Sequence, residues 1–108
     1  MGKALVVGFS HQTGSRLEGS LRGYRVERVR SFTDALHKMG EKEFDLIVVN
    51  ADCFSNDQIS TVYRMQYGKC SQIVVIHGEK SRRKPLVAEG LAFVSMSGAA
   101  QHFVSLAG

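Results

Sequence analysis

Phe44-Asp45-Leu46-Ile47-Val48-Val49-Asn50 is the stretch that decides the fold. Four apolar residues follow one another from Leu46 to Val49, with no polar residue alternating among them. A strand with one wet face alternates apolar and polar side chains. An unbroken apolar run of this length marks a strand covered on both faces, as in the middle of a parallel sheet. The pattern recurs upstream in Ala4-Leu5-Val6-Val7 and downstream in Ile73-Val74-Val75-Ile76. Two less regular strands complete the set. Tyr24 to Val29 alternates imperfectly and carries Arg25 and Arg28, with Arg30 just beyond, which suits one edge; Leu91 to Met96 is short and suits the other.

The segments between these strands read as helices. Ser31-Phe32-Thr33-Asp34 resembles a capping box with Asp in place of Glu; Ala35, Leu36 and Met39 give an apolar face, and Gly40 is placed to stop the helix. Ser55 or Asn56 is expected to cap the next helix, whose Ile59, Val62, Tyr63 and Gln66 follow at three- and four-residue steps before Gly68. Ser97 is placed to cap a last helix carrying Phe103, Val104 and Leu106. The first helix, around Ser15 to Leu21, has the poorest signal, because Gly14 and Gly19 lower its propensity. A short helix is expected between the last two strands. Strand–helix alternation of this kind builds a parallel sheet with helices on both faces.

Composition sets the outer bounds. The chain has 108 residues, 44% hydrophobic and 22% charged, which fits one globular domain and excludes disorder of the whole. No apolar run approaches the roughly 20 residues of a membrane-spanning helix. The N-terminus has no signal-peptide pattern, so a cytoplasmic location is expected. Cys53 and Cys70 are the only cysteines, which makes no disulfide framework, and neither has a partner at metal-ligand spacing. The net charge is +4 and the isoelectric point is near 9.3. This favours an acidic partner without selecting among nucleic acid, lipid and protein. The last helix is short, so residues 1–108 are read as a domain that can stand at the front of a longer protein.

From Tyr24 through Ala35-Leu36 to Phe44-Asp45 and Asn50, the sequence resembles the middle of a response-regulator receiver (CheY-like) domain. Gln72 to His77 matches that family's fourth strand, and Glu89-Gly90-Leu91-Ala92-Phe93-Val94 its approach to the fifth. The resemblance implies a flavodoxin-like α/β/α sandwich with a five-stranded parallel sheet in the order 2-1-3-4-5. It also implies where chemistry should lie. In receivers an acidic pair after the first strand and an Asp ending the third hold Mg²⁺ through oxygen ligands. That Asp is the phosphoryl-accepting nucleophile. A Ser or Thr after the fourth strand and a Lys after the fifth contact the phosphoryl oxygens. Here Gly8, Phe9 and Ser10 stand at the acidic pair, Asn50 at the acceptor, His77 at the Ser/Thr position, and Met96 (or Ser97) at the Lys. The set departs from the pattern throughout, which marks the chain as an atypical, pseudo-receiver-like sequence. Asp52 lies two residues beyond the acceptor position and reads as a turn residue.

Other candidates lie outside that set. Gly8 to Ser15 is expected to be the loop before the first helix, and Ser10, Thr13, Gly14 and Ser15 are its candidate anion-binding residues. It is neither a P-loop nor Gly-x-Gly-x-x-Gly. His11 and His77 are expected near Asn50, while His37 and His102 carry no assigned role. Lys80, Arg82, Arg83 and Lys84 form the sharpest charge feature, read as a partner surface or as a solvated loop. No aromatic residue is interleaved there, and no helix-turn-helix or zinc-finger pattern occurs, so direct nucleic-acid binding is not expected. No catalytic motif is present, and no enzyme activity, cofactor or metal is expected.

These residues lead to a phosphorylation-independent signalling module that acts through protein–protein contact. It would regulate an attached output domain or pair with itself as a homodimer. Atypical receivers of this kind resemble those at the front of some bacterial transcription activators and pilus-assembly localisation ATPases. The alternative is a sensor of the same fold that binds a nucleotide or other anion over Gly8 to Ser15, near Asn50 and His77, where Phe9 is bulky enough to fill the space. A conventional phosphorylated receiver is disfavoured by the missing carboxylates.

Overall fold

The computed structural model describes residues 2–66, 72–78 and 88–107, the side chains of residues 104–107 excepted. In chain order the elements are β1 (Gly2–Val7), α1 (His11–Ser20), β2 (Tyr24–Val29), α2 (Phe32–Glu41), β3 (Leu46–Asn50), α3 (Asn56–Gln66), β4 (Gln72–His77), β5 (Leu91–Ser95) and α4 (Ala99–Ala107). All strand pairs are parallel, in the order β2-β1-β3-β4-β5. This is the flavodoxin-like architecture expected from the sequence.

The unbroken apolar runs have a direct cause. Successive strand side chains point to opposite faces, and here both faces are covered. Leu5, Val7, Ile47, Val49, Ile73 and Val75 pack under α2 and α3 with Ala35, Met39, Ile59 and Val62. Ala4, Val6, Leu46, Val48, Val74 and Ile76 pack under α1 and α4 with Leu17, Ala99 and Phe103. The edge strands differ: no residue of β2 or β5 is fully buried.

Helix ends follow side-chain chemistry. Ser31 Oγ accepts the Asp34 N–H at 3.0 Å and opens α2. At α3 the box is reciprocal: Ser55 Oγ accepts from Gln58 N at 3.1 Å, and Gln58 Oε1 accepts from Ser55 N at 2.9 Å. From within α3, the Tyr63 hydroxyl donates to Glu89 O at 2.7 Å, tying the helix to the turn before β5.

Three expectations need correction. Gly40 does not stop α2, which runs to Glu41 and ends with the Lys42 N–H on Lys38 O. Gly40 lacks the positive φ that would make it a helix terminator; only Gly8, Gly23 and Gly90 have one among the described residues. Helix α1 begins at His11, not Ser15, because Ser10 caps it. Gly14 sits inside α1, where a Cβ would stand 3.0 Å from Arg28 Nη1, so the residue that lowers helix propensity admits a side chain from β2. Helix α4 begins at Ala99, with Gly98 between it and Ser97; Ser95 Oγ accepts the Gly98 N–H at 3.2 Å. Gly68, Cys70, Pro85 and the short helix expected between β4 and β5 lie outside the described residues. Among the described residues no helix is long and apolar enough to cross a membrane.

Candidate functional site

Doubly wound sheets present their ligands at the carboxyl ends of the strands. Here β1, β3 and β4 end side by side at Val7, Asn50 and His77. The residues just beyond β1 all have structural tasks. Gly8 turns the chain with φ +85°, and a Cβ on it would stand 2.6 Å from Phe54 Cε2. Glycine is therefore required both for the backbone conformation and for the approach of that ring. Phe9 is buried in the core under α1 and α4. Ser10 Oγ accepts the Thr13 N–H at 3.2 Å as the N-cap of α1. None of the three offers a carboxylate.

Asn50, at the end of β3, is tied down at both ends of its amide. Its Nδ2 donates to Gly8 O at 3.0 Å and lies 3.4 Å from Cys53 Sγ, while Oδ1 accepts the Asp52 N–H at 3.0 Å. The Cys53 thiol also donates to Gly8 O, at 3.3 Å. The notch between β1 and β3 is thus closed by a knot of neutral hydrogen bonds with the Phe54 ring beside it. An amide held this way brings neither the negative charge that a divalent cation needs nor a nucleophilic oxygen.

The neighbouring positions point elsewhere. Asp52 is exposed and leans over the end of β4, where a Cβ on Gly78 would meet its Oδ2 at 2.9 Å. His77 is half-buried and stacks on Phe93, with ring centroids 5.0 Å apart and planes 20° apart. Its Nδ1 lies 3.0 Å from Gly78 O, and since a carbonyl can only accept, Nδ1 carries the proton. The Met96 N–H donates to His77 O at 2.9 Å. Its side chain lines a groove of about 140 Å³ between α1 and α4 with Thr13, Arg16 and Leu17. Among the described residues no three of the His, Cys, Asp and Glu side chains gather to hold a metal ion.

The expected anion loop from Gly8 to Ser15 is shorter than the sequence suggested. Only Gly8, Phe9 and Ser10 form the connection; Thr13, Gly14 and Ser15 belong to α1. Arg28 lies across this part of the helix, donating from Nη1 to His11 O at 3.3 Å and to Ser15 Oγ at 3.1 Å. Lys80, Arg82, Arg83 and Lys84 lie outside the described residues. Sequence reasoning missed Cys53 and Phe54. Both meet Gly8 across 45 or more positions of chain, and no local motif signals such a contact.

The sequence matches no protein-family model and no curated protein. Solved structures do match. Chemotaxis response regulator CheY4 of Vibrio cholerae superposes with a TM-score of 0.74 at 18% identity, over 98% of each chain. The N-terminal domain of a response regulator/sensory box/GGDEF three-domain protein from Carboxydothermus hydrogenoformans gives 0.67 at 23% identity, over 97% of this chain and 90% of that one. An atypical orphan response regulator, described with a new phosphorylation-independent regulatory mechanism, gives 0.64 at 15% identity, over 95% and 92%. At such identities the likeness speaks to architecture, and with strand order and helix placement it leads to one statement: this chain has the CheY-like fold of response-regulator receiver domains.

Proposed function

We propose that the chain is a phosphorylation-independent, receiver-like signalling module that acts through protein–protein contact, either on an attached output domain or on a second copy of itself. One observation carries the reading. Asn50, at the place where the resemblance puts the phosphoacceptor, is bonded through its amide to Gly8 O beside Cys53, and Gly8, Phe9 and Ser10 supply no oxygen anion for Mg²⁺. His77 and Met96 likewise lack the hydroxyl and the ammonium that receivers use on the phosphoryl group. Two similar structures support the two halves of the idea: one regulator is described as phosphorylation-independent, and another domain stands at the front of a three-domain protein. The reading places the protein in the cytoplasm and gives it no enzyme activity. Lys80, Arg82, Arg83 and Lys84 are proposed as part of the partner surface on their charge.

Incubation with acetyl phosphate and Mg²⁺, followed by intact mass spectrometry, tests the first half. No phosphoryl adduct is expected, and an acid-stable, hydroxylamine-labile adduct overturns the reading. Light scattering after size exclusion, with and without charge reversal at Arg82 and Arg83, tests the second half for self-association. A parent dimer that the reversal leaves unchanged removes that run from the interface.

A further inference from the structure

A larger hollow lies on the far side of β1 from Asn50. Between the end of β2 and the starts of α1 and α2, a cleft of about 400 Å³ is lined by His11, Arg28, Arg30 and Asp34 over an apolar floor that includes Phe9 and Val29. Arg28, in β2, and Arg30, one residue beyond its end, both line this cleft. Among the described residues neither forms an ion pair. Among the described residues the ion pairs are those of Glu27 with Lys38 and Lys42, which involve neither arginine. Arg28 is held by neutral acceptors, His11 O and Ser15 Oγ, which fix its guanidinium and leave its charge intact. Asp34 lines the cleft but forms an ion pair with neither arginine.

Two guanidiniums without an ion-pair partner among the described residues, over a partly apolar floor, match a particular chemistry. Guanidinium recognises phosphate oxygens through paired N–H donors. The hollow is in the size range of small-molecule sites and exceeds what a bare phosphate ion needs. We infer that this cleft binds a small phosphomonoester, with its phosphate on Arg28 and Arg30, its body over Phe9 and Val29, and a hydroxyl donating to Asp34. The inference is independent of the phosphoacceptor argument, because β1 separates the two places.

Three probes decide it: adenosine monophosphate, inorganic phosphate and adenosine, each titrated into the protein by calorimetry and by ¹H–¹⁵N NMR. Adenosine monophosphate is expected to bind more tightly than phosphate and to shift the amides of His11, Arg28, Val29, Arg30 and Asp34, while adenosine does not bind. Arg30 is exposed, so Arg30→Gln should leave the fold intact by circular dichroism and weaken binding about tenfold, the size of one charge-assisted contact. Added salt should weaken binding of the parent. The inference is overturned if neither anion binds at millimolar concentration, if adenosine binds as well as its monophosphate, or if folded Arg30→Gln keeps the parent's affinity.

Discussion

Asn50→Asp puts a carboxylate back at the end of β3 and leaves the surroundings as they are. In the parent, Nδ2 donates to Gly8 O at 3.0 Å and touches Cys53 Sγ at 3.4 Å. A carboxylate has no proton to give, so the half-buried Gly8 carbonyl loses a donor and faces another electron-rich oxygen. A lost neutral hydrogen bond costs about 1 kcal/mol, and an acceptor left facing an anion adds about 1–3 kcal/mol. The Cys53 thiol still donates to Gly8 O at 3.3 Å. That remaining bond keeps the expected total low in the range, at about 2 kcal/mol, or roughly 8 °C in Tm for a domain of this size. Protonating the new carboxyl restores a donor. The folded variant therefore holds that proton more tightly than the unfolded chain does, and its stability falls as pH rises through the ordinary Asp range and above. Thermal unfolding from acid to neutral pH should show a deficit that is largest at neutrality. Millimolar Mg²⁺ should leave Tm unchanged, since Gly8, Phe9 and Ser10 add no oxygen anion. A variant as stable as the parent, a deficit independent of pH, or a Tm restored by Mg²⁺ refutes the reasoning.

Further substitutions probe other parts of the structure. Gly8→Ala forces a side chain into a positive-φ position against Phe54 Cε2 and should cost about 2 kcal/mol, read from urea denaturation. Ile47→Ala empties a fully buried position in β3, the middle strand of the sheet, and should cost about 2–5 kcal/mol in the same assay. Ser55→Ala removes the Oγ that accepts the Gln58 N–H while leaving the Ser55 backbone N–H on Gln58 Oε1, and should cost about 1 kcal/mol, with the loss of amide-exchange protection concentrated in the first turn of α3. Burial pushes the Glu27 carboxyl up, but the hydrogen bonds and charges of Lys42 and Lys38 outweigh it and hold the group below its usual range. The folded carboxyl thus stays ionised to lower pH than the unfolded one, so its contribution is present at neutral pH and lost in acid. Glu27→Gln should lose under about 1 kcal/mol at neutral pH, and the difference should fade as pH falls through the carboxyl's lowered range and in high salt.

The sequence made the sheet legible because its central strands are apolar on both faces. Leu46 to Val49 admits few other readings. The helices were legible where caps are local, as at Ser31 and Ser55. They were misjudged where a glycine serves a distant residue: Gly14 makes room for Arg28, and that need is invisible from within α1. Gly40 misled for a related reason, since a glycine near a helix end stops it only if the backbone turns left-handed, and here it does not. At the sheet edge the residue types were readable, but their arrangement was not. Nothing near Asn50 in sequence says that its amide reaches back to Gly8, or that Phe54 covers the same glycine.

The two-sided apolar character of β1 and β3 leaves their alignment underdetermined. Sliding one strand by a residue would exchange Leu46 and Val48 for Ile47 and Val49, and greasy side chains would still fill both layers. Polar clasps at the ends remove that ambiguity. At one end Asp45 takes the Lys3 N–H on Oδ2 and gives its own N–H to Lys3 O, both at 2.8 Å; at the other, Asn50 reaches Gly8 O. The residue that ends β3 thus works as a vernier stop, fixing which rung of one strand faces which rung of the next.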